Sequence, residues 1–252
     1  MTLLQPLVIL IIVVSVVKSE FLVDTCDMKN SYTTNSKYQA NLRQLQSSLV
    51  SSIIPSGFSN YTVGNNSEQV FGLAFCRGDV SAEGCQTCLR STINEVSTRC
   101  PYGKEEIIWF DQCFLRYSNT NFFSIRGRVL YGYCNLNEVV NPPQYNTILA
   151  QLMNTLITQA VNHSNQMFAA GFTNVASPSN KLYGLVHCTQ DLSRDDCYLC
   201  LQEFVKAIPD YCYGKFGGRL LGTSCGIRYE SYKFYNNTAV PNEGNSGKSI
   251  LF

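Results

Sequence analysis

The chain has 252 residues, 19 Lys and Arg against 18 Asp and Glu, and 45% hydrophobic residues. That length holds two domains of ordinary size. A formal net charge of +1 argues against a nucleic-acid partner or an electrostatically bound membrane.

Residues 1–19, MTLLQPLVILIIVVSVVKS, are an apolar run that ends in the small-residue exit Val17-Lys18-Ser19. This reads as a secretory signal peptide, not a transmembrane anchor. No second apolar run of about 18 residues follows, so no membrane span is expected in the mature chain. Loss of Lys18 with the leader leaves 18 basic groups against 18 acidic ones.

Cys26 opens a first repeat. A polar turn leads to a helix over Tyr38 to Ile53, where Leu42, Leu45, Leu49 and Ile53 share one stripe. A polar loop, Pro55 to Glu68, precedes the strand Val70-Phe-Gly-Leu-Ala-Phe-Cys76. Then comes a C-x8-C-x2-C cluster, Cys76, Cys85 and Cys88, turning into a second helix that carries Cys85 and Cys88 on one face. The repeat ends in strands around Ile107–Phe110 and Cys113–Tyr117, with Cys100 before them.

Cys134 opens a second repeat with the same parts. Its helix is Gln144 to Val161, with Ile148, Leu152, Leu156 and Ala160 as the stripe, and its polar loop is His163 to Asn180. The strand Leu182–Cys188 leads into Cys188, Cys197 and Cys200, where Ser193 followed by Asp196 reads as a capping box. Strands at Gly218–Leu221 and Cys225–Tyr229 close the repeat, with Cys212 before them. Cysteines 76, 85, 88, 100 and 113 recur 112 positions later at 188, 197, 200, 212 and 225, so the chain is a tandem repeat.

The expected fold is α+β: two domains, each a roughly five-stranded antiparallel sheet with two helices on one face. Their spans are 22–128 and 130–237, joined closely near Val129–Tyr133, with a flexible Gly-, Asn- and Ser-rich tail over 241–252. Six cysteines per repeat in an oxidising compartment point to disulfides, though the spacing alone leaves fifteen pairings per domain and a four-thiolate zinc site as the rival. Sequons at Asn60, Asn65, Asn162 and Asn236 fall in stretches read as loops or helix ends and suit a secreted glycoprotein.

The tandem C-x8-C-x2-C repeats behind a signal peptide resemble the plant cysteine-rich repeat secretory proteins, built from ginkbilobin-homologous, or stress-antifungal, domains. The resemblance covers residues 22 to about 237. It implies two helices on a five-stranded antiparallel sheet. It implies the bridges Cys26–Cys100, Cys76–Cys85 and Cys88–Cys113, then Cys134–Cys212, Cys188–Cys197 and Cys200–Cys225. It also implies secretion to the apoplast and a role in plant defence.

The antifungal seed member of that family binds mannose through an Asn after the first cysteine, an Arg six residues before the last and a Glu five residues after it. The second repeat matches with Asn135, Arg219 and Glu230; the first holds Asp27, Ile107 and Ser118. The chemistry suits a hexose: a planar fork of donors, a carboxylate acceptor and an amide that does both. Tyr133, Tyr229 and Tyr232 stand near in sequence to cover a sugar's apolar face. The plainer reading is an Arg219–Glu230 surface pair with Asn135 at a strand end. One sugar requires the chain to reverse between 219 and 230, near Gly222–Gly226, since eleven extended residues span about 36 Å.

An enzyme is not expected. The two histidines, His163 and His187, join no nucleophile–base–acid set, and Asp195 and Asp196 read as first-turn residues that favour the helix dipole. No cofactor or metal is implied. The expected partners are mannose-containing glycans, as for an antifungal lectin, or alternatively another apoplastic protein, as for a module related to receptor-like kinase ectodomains.

Overall fold

The computed structural model describes residues 19–175 and 177–236, with the side chains of all but 177–179. Residues 1–18 of the expected signal peptide and the tail expected over 241–252 lie outside the described residues.

In the first repeat, β1 (Phe21–Cys26) leads to α1 (Lys37–Ser52), whose N-terminus is capped by the Ser36 hydroxyl accepting from the Gln39 N–H. The expected stripe Leu42, Leu45, Leu49 and Ile53 is buried throughout. β2 (Phe58–Val63), β3 (Val70–Cys76), α2 (Ala82–Arg99), β4 (Glu106–Phe110) and β5 (Cys113–Ser118) complete the unit. The second repeat repeats the order with β6 (Val129–Cys134), α3 (Pro142–Asn162), β7 (Phe168–Val175), β8 (Ser177–Cys188), α4 (Arg194–Cys212), β9 (Gly218–Gly222) and β10 (Cys225–Glu230). At α4 only the N-cap half of the expected capping box forms: Ser193 Oγ accepts from the Asp196 N–H at 3.0 Å, and the shorter Asp side chain instead accepts from the Ser193 hydroxyl at 2.6 Å.

Two five-stranded antiparallel sheets result, ordered β1-β4-β5-β3-β2 and β6-β9-β10-β8-β7. The stretches expected as polar loops at 55–68 and 163–180 contain the edge strands β2 and β7. An edge strand has one free side, so its sequence carries polar residues that imitate a loop. Asn60 therefore lies on β2 rather than in a loop; it is exposed, as are Asn65, Asn162 and Asn236.

The six bridges are Cys26–Cys100, Cys76–Cys85, Cys88–Cys113, Cys134–Cys212, Cys188–Cys197 and Cys200–Cys225. This is the pairing the resemblance implies, and no cysteine is free. Cys26, Cys100 and the Glu106 carboxylate lie within 4.8 Å of one another, but bridged sulfurs offer no thiolate to a metal. Each bridge contributes about 2–4 kcal/mol, a large share for domains of this size.

Alternation along the strands sorts side chains to two faces. Ile108, Leu115 and Tyr117 pack under α1 and α2, and Leu220, Ile227 and Tyr229 pack under α3 and α4. The opposite faces meet each other: Phe75, Ile107, Trp109 and Phe114 of the first sheet form one apolar cluster with Leu221, Leu130 and Tyr131 of the second. Trp109 donates its indole N–H to Gly222 O at 3.3 Å across this seam. Ile107 thus packs inward, into the layer between the domains.

Candidate functional site

The second-repeat trio sits at the border of that seam. β9 and β10 reverse through Thr223-Ser224, so Arg228 lies opposite Arg219, while Tyr133 on β6 lies opposite Arg219 from the other side. Because Leu220 and Tyr229 point to the helices, Arg219, Arg228 and Glu230 point to the first domain. The Asn135 N–H donates to Gly217 O at 2.9 Å, and a Cβ on Gly217 would fall 2.1 Å from Glu230 Oε2. Any larger residue there would push the Glu230 carboxylate aside. Gly217, two residues before Arg219, therefore meets the Asn135 backbone and the Glu230 carboxylate.

Their partners differ from the plain expectation. Arg219 does not pair with Glu230. Its Nη2 donates to Asp111 Oδ1 of the first domain at 2.5 Å, and its side chain is only 14% exposed. Glu230 accepts from Arg228 Nε at 3.1 Å, and Arg228 Nη1 donates to the same Asp111 oxygen at 3.0 Å. Arg77 Nη1 reaches Asp111 Oδ2 at 3.3 Å. Asn135 Oδ1 accepts from the Asn137 N–H, a local turn rather than a free amide. One carboxylate thus gathers three guanidinium groups.

Burial works against ionisation of Asp111, but Arg219, Arg77 and Arg228 outweigh it and hold the carboxyl below its ordinary value. Burial and then the charge of Arg228 pull the Arg219 guanidinium below its usual value, against the pull of Asp111. Such a buried guanidinium depends on its carboxylate partner.

Of the three tyrosines expected near the trio, Tyr229 is removed from any ligand: it is 1% exposed and its hydroxyl donates to Cys212 O at 3.2 Å. Tyr133 and Tyr232 remain exposed, and Arg228 Nη2 donates to the Tyr232 hydroxyl at 3.2 Å. His187 is half-buried in the seam, its ring stacked on Phe75 with centroids 5.0 Å apart, and desolvation lowers its pKa to about 3. That environment keeps it neutral.

Sequence reasoning missed the acidic half of this site. Asp111 lies in the β4–β5 turn of the other repeat, and its backbone N–H donates to Glu20 O at 2.8 Å. The signal available was asymmetry: the position 112 later is Thr223, so a charge present in only one repeat faces an arginine present in only the other.

A second surface feature lies nearby. Tyr133, Leu136, Val140, Tyr211 and Tyr213 are all exposed around the Cys134–Cys212 bridge. Among the described residues, no helix is long and apolar enough to cross a membrane.

The sequence matches the family model described as salt stress response/antifungal twice, over residues 25–120 and 133–232. It is 41% identical over 221 residues to the cysteine-rich repeat secretory protein 38 of Arabidopsis thaliana, covering 85% of each chain. It is 40% identical to the antimicrobial ginkbilobin-2-like protein of Castanea crenata, over 83% of this chain and 86% of that one. It is 35% identical to the putative cysteine-rich receptor-like protein kinase 20 of Arabidopsis thaliana, over 92% of this chain but 36% of the kinase. The fold is similar to the crystal structure of the tandem DUF26 ectodomain of the Arabidopsis thaliana cysteine-rich receptor-like protein PDLP8, with TM-score 0.75, 25% identity and coverage of 86% of this chain and 100% of that one. With both repeats matched by the family model and near relatives aligned over most of their length, the chain belongs to the salt stress response/antifungal family, in its tandem form.

Proposed function

We propose that this chain is a secreted, defence-related recognition protein of the apoplast that engages a protein partner and performs no catalysis. The observation behind this reading is the Arg219–Asp111 pair. The donors that a sugar would need from Arg219 are turned into the seam between the domains, and the guanidinium is nearly buried. The exposed aromatic and aliphatic side chains around Cys134–Cys212 offer the contacting surface instead. Tyrosine-rich patches of this kind, here beside the Glu138–Lys215 ion pair, are typical of interface centres. Relatives named as a secretory protein, an antimicrobial protein and a receptor-like kinase support an extracellular setting.

Mannose binding at Asn135, Arg219 and Glu230 stays as a second reading on one observation: Gly217, two residues before Arg219, meets both the Asn135 backbone and the Glu230 carboxylate. A sugar there would meet Asn135, Glu230 and Tyr133 and would compete with Asp111 for Arg219. A glycan array and an extracellular-protein interaction screen on the same secreted sample separate the two. The protein reading expects partners lost on Tyr211→Ala with Tyr213→Ala and no mannose signal. Mannose binding abolished by Asn135→Ala, with the tyrosine variant unaffected, would overturn it.

A further inference from the structure

The first repeat carries a cleft on its helical side. It opens between α1 and the end of α2, with a volume of about 260 Å³. Gln39, Arg43 and Gln46 line it from one stripe of α1, spaced three and four residues apart. Tyr32 and Tyr102 form an aromatic wall, edge to face at 6.2 Å, and Ser97 adds a hydroxyl from α2. The Tyr32 hydroxyl donates to Pro101 O at 2.8 Å, which fixes that wall. Buried Leu42 and Val96 make the floor.

Two facts give the cleft a ligand chemistry. No acidic residue lines it, and Arg43 makes no ion pair with any described residue, so its charge is uncompensated. The fold does not need these side chains either. Tyr38 and Tyr145 donate their hydroxyls to the equivalent carbonyls of Lys104 and Phe216, which sets α1 and α3 in register. Arg43 then corresponds to Ala150 and Gln46 to Met153. The bonds Tyr32 N–H to Tyr102 O and Val139 N–H to Gly214 O align the walls, so the two tyrosines correspond to Val139 and Gly214. The second repeat builds the same fold with none of the four.

We infer that this cleft binds a single-ring hydroxylated carboxylate, a sugar acid, with the carboxylate on Arg43, the hydroxyls on Gln46 and Ser97, and the ring against Tyr102. A guanidinium fork matches a carboxylate bidentately. Amide and hydroxyl groups match vicinal hydroxyls. The volume lies just under the usual range for drug-sized ligands and limits the guest to about one ring.

The test is a titration of the intact protein, followed by amide chemical shifts, with sodium glucuronate, glucose and acetate in turn. Glucuronate saturates with a dissociation constant on the order of 1 mM, and its shifts cluster on α1 and around 97–102. Glucose and acetate bind about tenfold more weakly, since each lacks one half of the recognition. Arg43 is exposed, so Arg43→Gln keeps the wild-type melting temperature while glucuronate falls to the level of glucose. Tyr102→Ala weakens glucuronate, and Asn135→Ala leaves it unchanged. Acetate binding as tightly as glucuronate, shifts confined to the second repeat, or wild-type affinity in Arg43→Gln would each overturn the assignment.

Discussion

Phe75 and His187 stand 112 positions apart, at the same place in each repeat, and their rings stack with centroids 5.0 Å apart and planes 26° from parallel. Two equivalent residues touch only at an axis that relates the repeats. Other contacts obey the same relation. Arg116 lies over the Phe122 ring at 3.9 Å and Arg228 over Phe234 at 4.2 Å. The Ser124 N–H reaches Asp191 of the second repeat, and the Asn236 N–H reaches Asp79 of the first. The domains therefore pack as an isologous pair within one chain.

His187 makes this seam sensitive to acid. Burial lowers its pKa from 6.5 to about 3, so the unfolded chain takes up a proton that the folded chain refuses. This contribution to stability is full above pH 6.5 and is lost steadily as pH falls toward about 3. His187→Phe keeps the stack and removes the proton. Urea midpoints should converge between variant and wild type near neutrality and separate in favour of the variant at pH 4.5. An unchanged difference across that range would contradict the assignment.

The layers of this fold were legible from helix stripes and from the fixed offset between cysteines, because those patterns express burial directly. The edge strands were not. β2 contains Ser59, Asn60 and Thr62 among its apolar residues, and an edge tolerates that mixture because only one side pairs. The trio's positions were legible, and Gly217 meets two of the three, Asn135 through its backbone and Glu230 through its carboxylate. Their roles were not legible, because Asp111 comes from 108 residues away and no local pattern places it beside Arg219.

Asp111 sets the cost of opening the seam. Removing its charge leaves Arg77, Arg219 and Arg228 facing one another with less counter-charge. Breaking one partner out of a buried ionic cluster costs about 3–5 kcal/mol. Asp111→Asn should lower the melting temperature markedly at pH 7. Its carboxyl pKa is depressed in the fold, so its stabilisation is present above the ordinary carboxylate value and vanishes as pH falls through the folded value. The variant and wild type should accordingly approach each other in strong acid; a gap that persists there would point to packing alone.

Glu106 runs the opposite way. It is fully buried under the helices beside the Cys26–Cys100 bridge, and neither carboxylate oxygen has a hydrogen-bond partner among the described residues. Burial, then the charge of Asp24, raises its pKa to about 8, against Arg99. The folded chain holds a proton that the unfolded chain releases above about pH 4.5. Stability therefore declines as pH rises from about 4.5 to about 8. Glu106→Gln keeps the shape and cannot ionise. Chemical denaturation should show little difference at pH 4 and a more stable variant at pH 8. Equal stability at both values would mean that Glu106 is ionised in the fold.

Asp79 and Asp191 offer a sharper comparison, because they occupy equivalent positions and carry unequal loads. Each receives the backbone N–H of the other repeat's closing segment, at 3.0 Å for Asp79 and 2.7 Å for Asp191. Asp79 is also held in a fork by Arg77, with Nε and Nη2 at 2.6 and 2.9 Å from its two oxygens, and is 2% exposed. The residue equivalent to Arg77 is Thr189, so Asp191 has no such partner, and its Oδ1 makes no hydrogen bond among the described residues. Asp79→Ala leaves the buried Arg77 with Asp111 as its one remaining carboxylate, at a cost of about 3–5 kcal/mol. Asp191→Ala loses one side-chain hydrogen bond, from the Ser124 N–H, at a half-buried position, about 1 kcal/mol. Urea unfolding at pH 7 measures both. Equal losses would show that the closing segments, and not the Arg77 fork, carry the energy at these two positions.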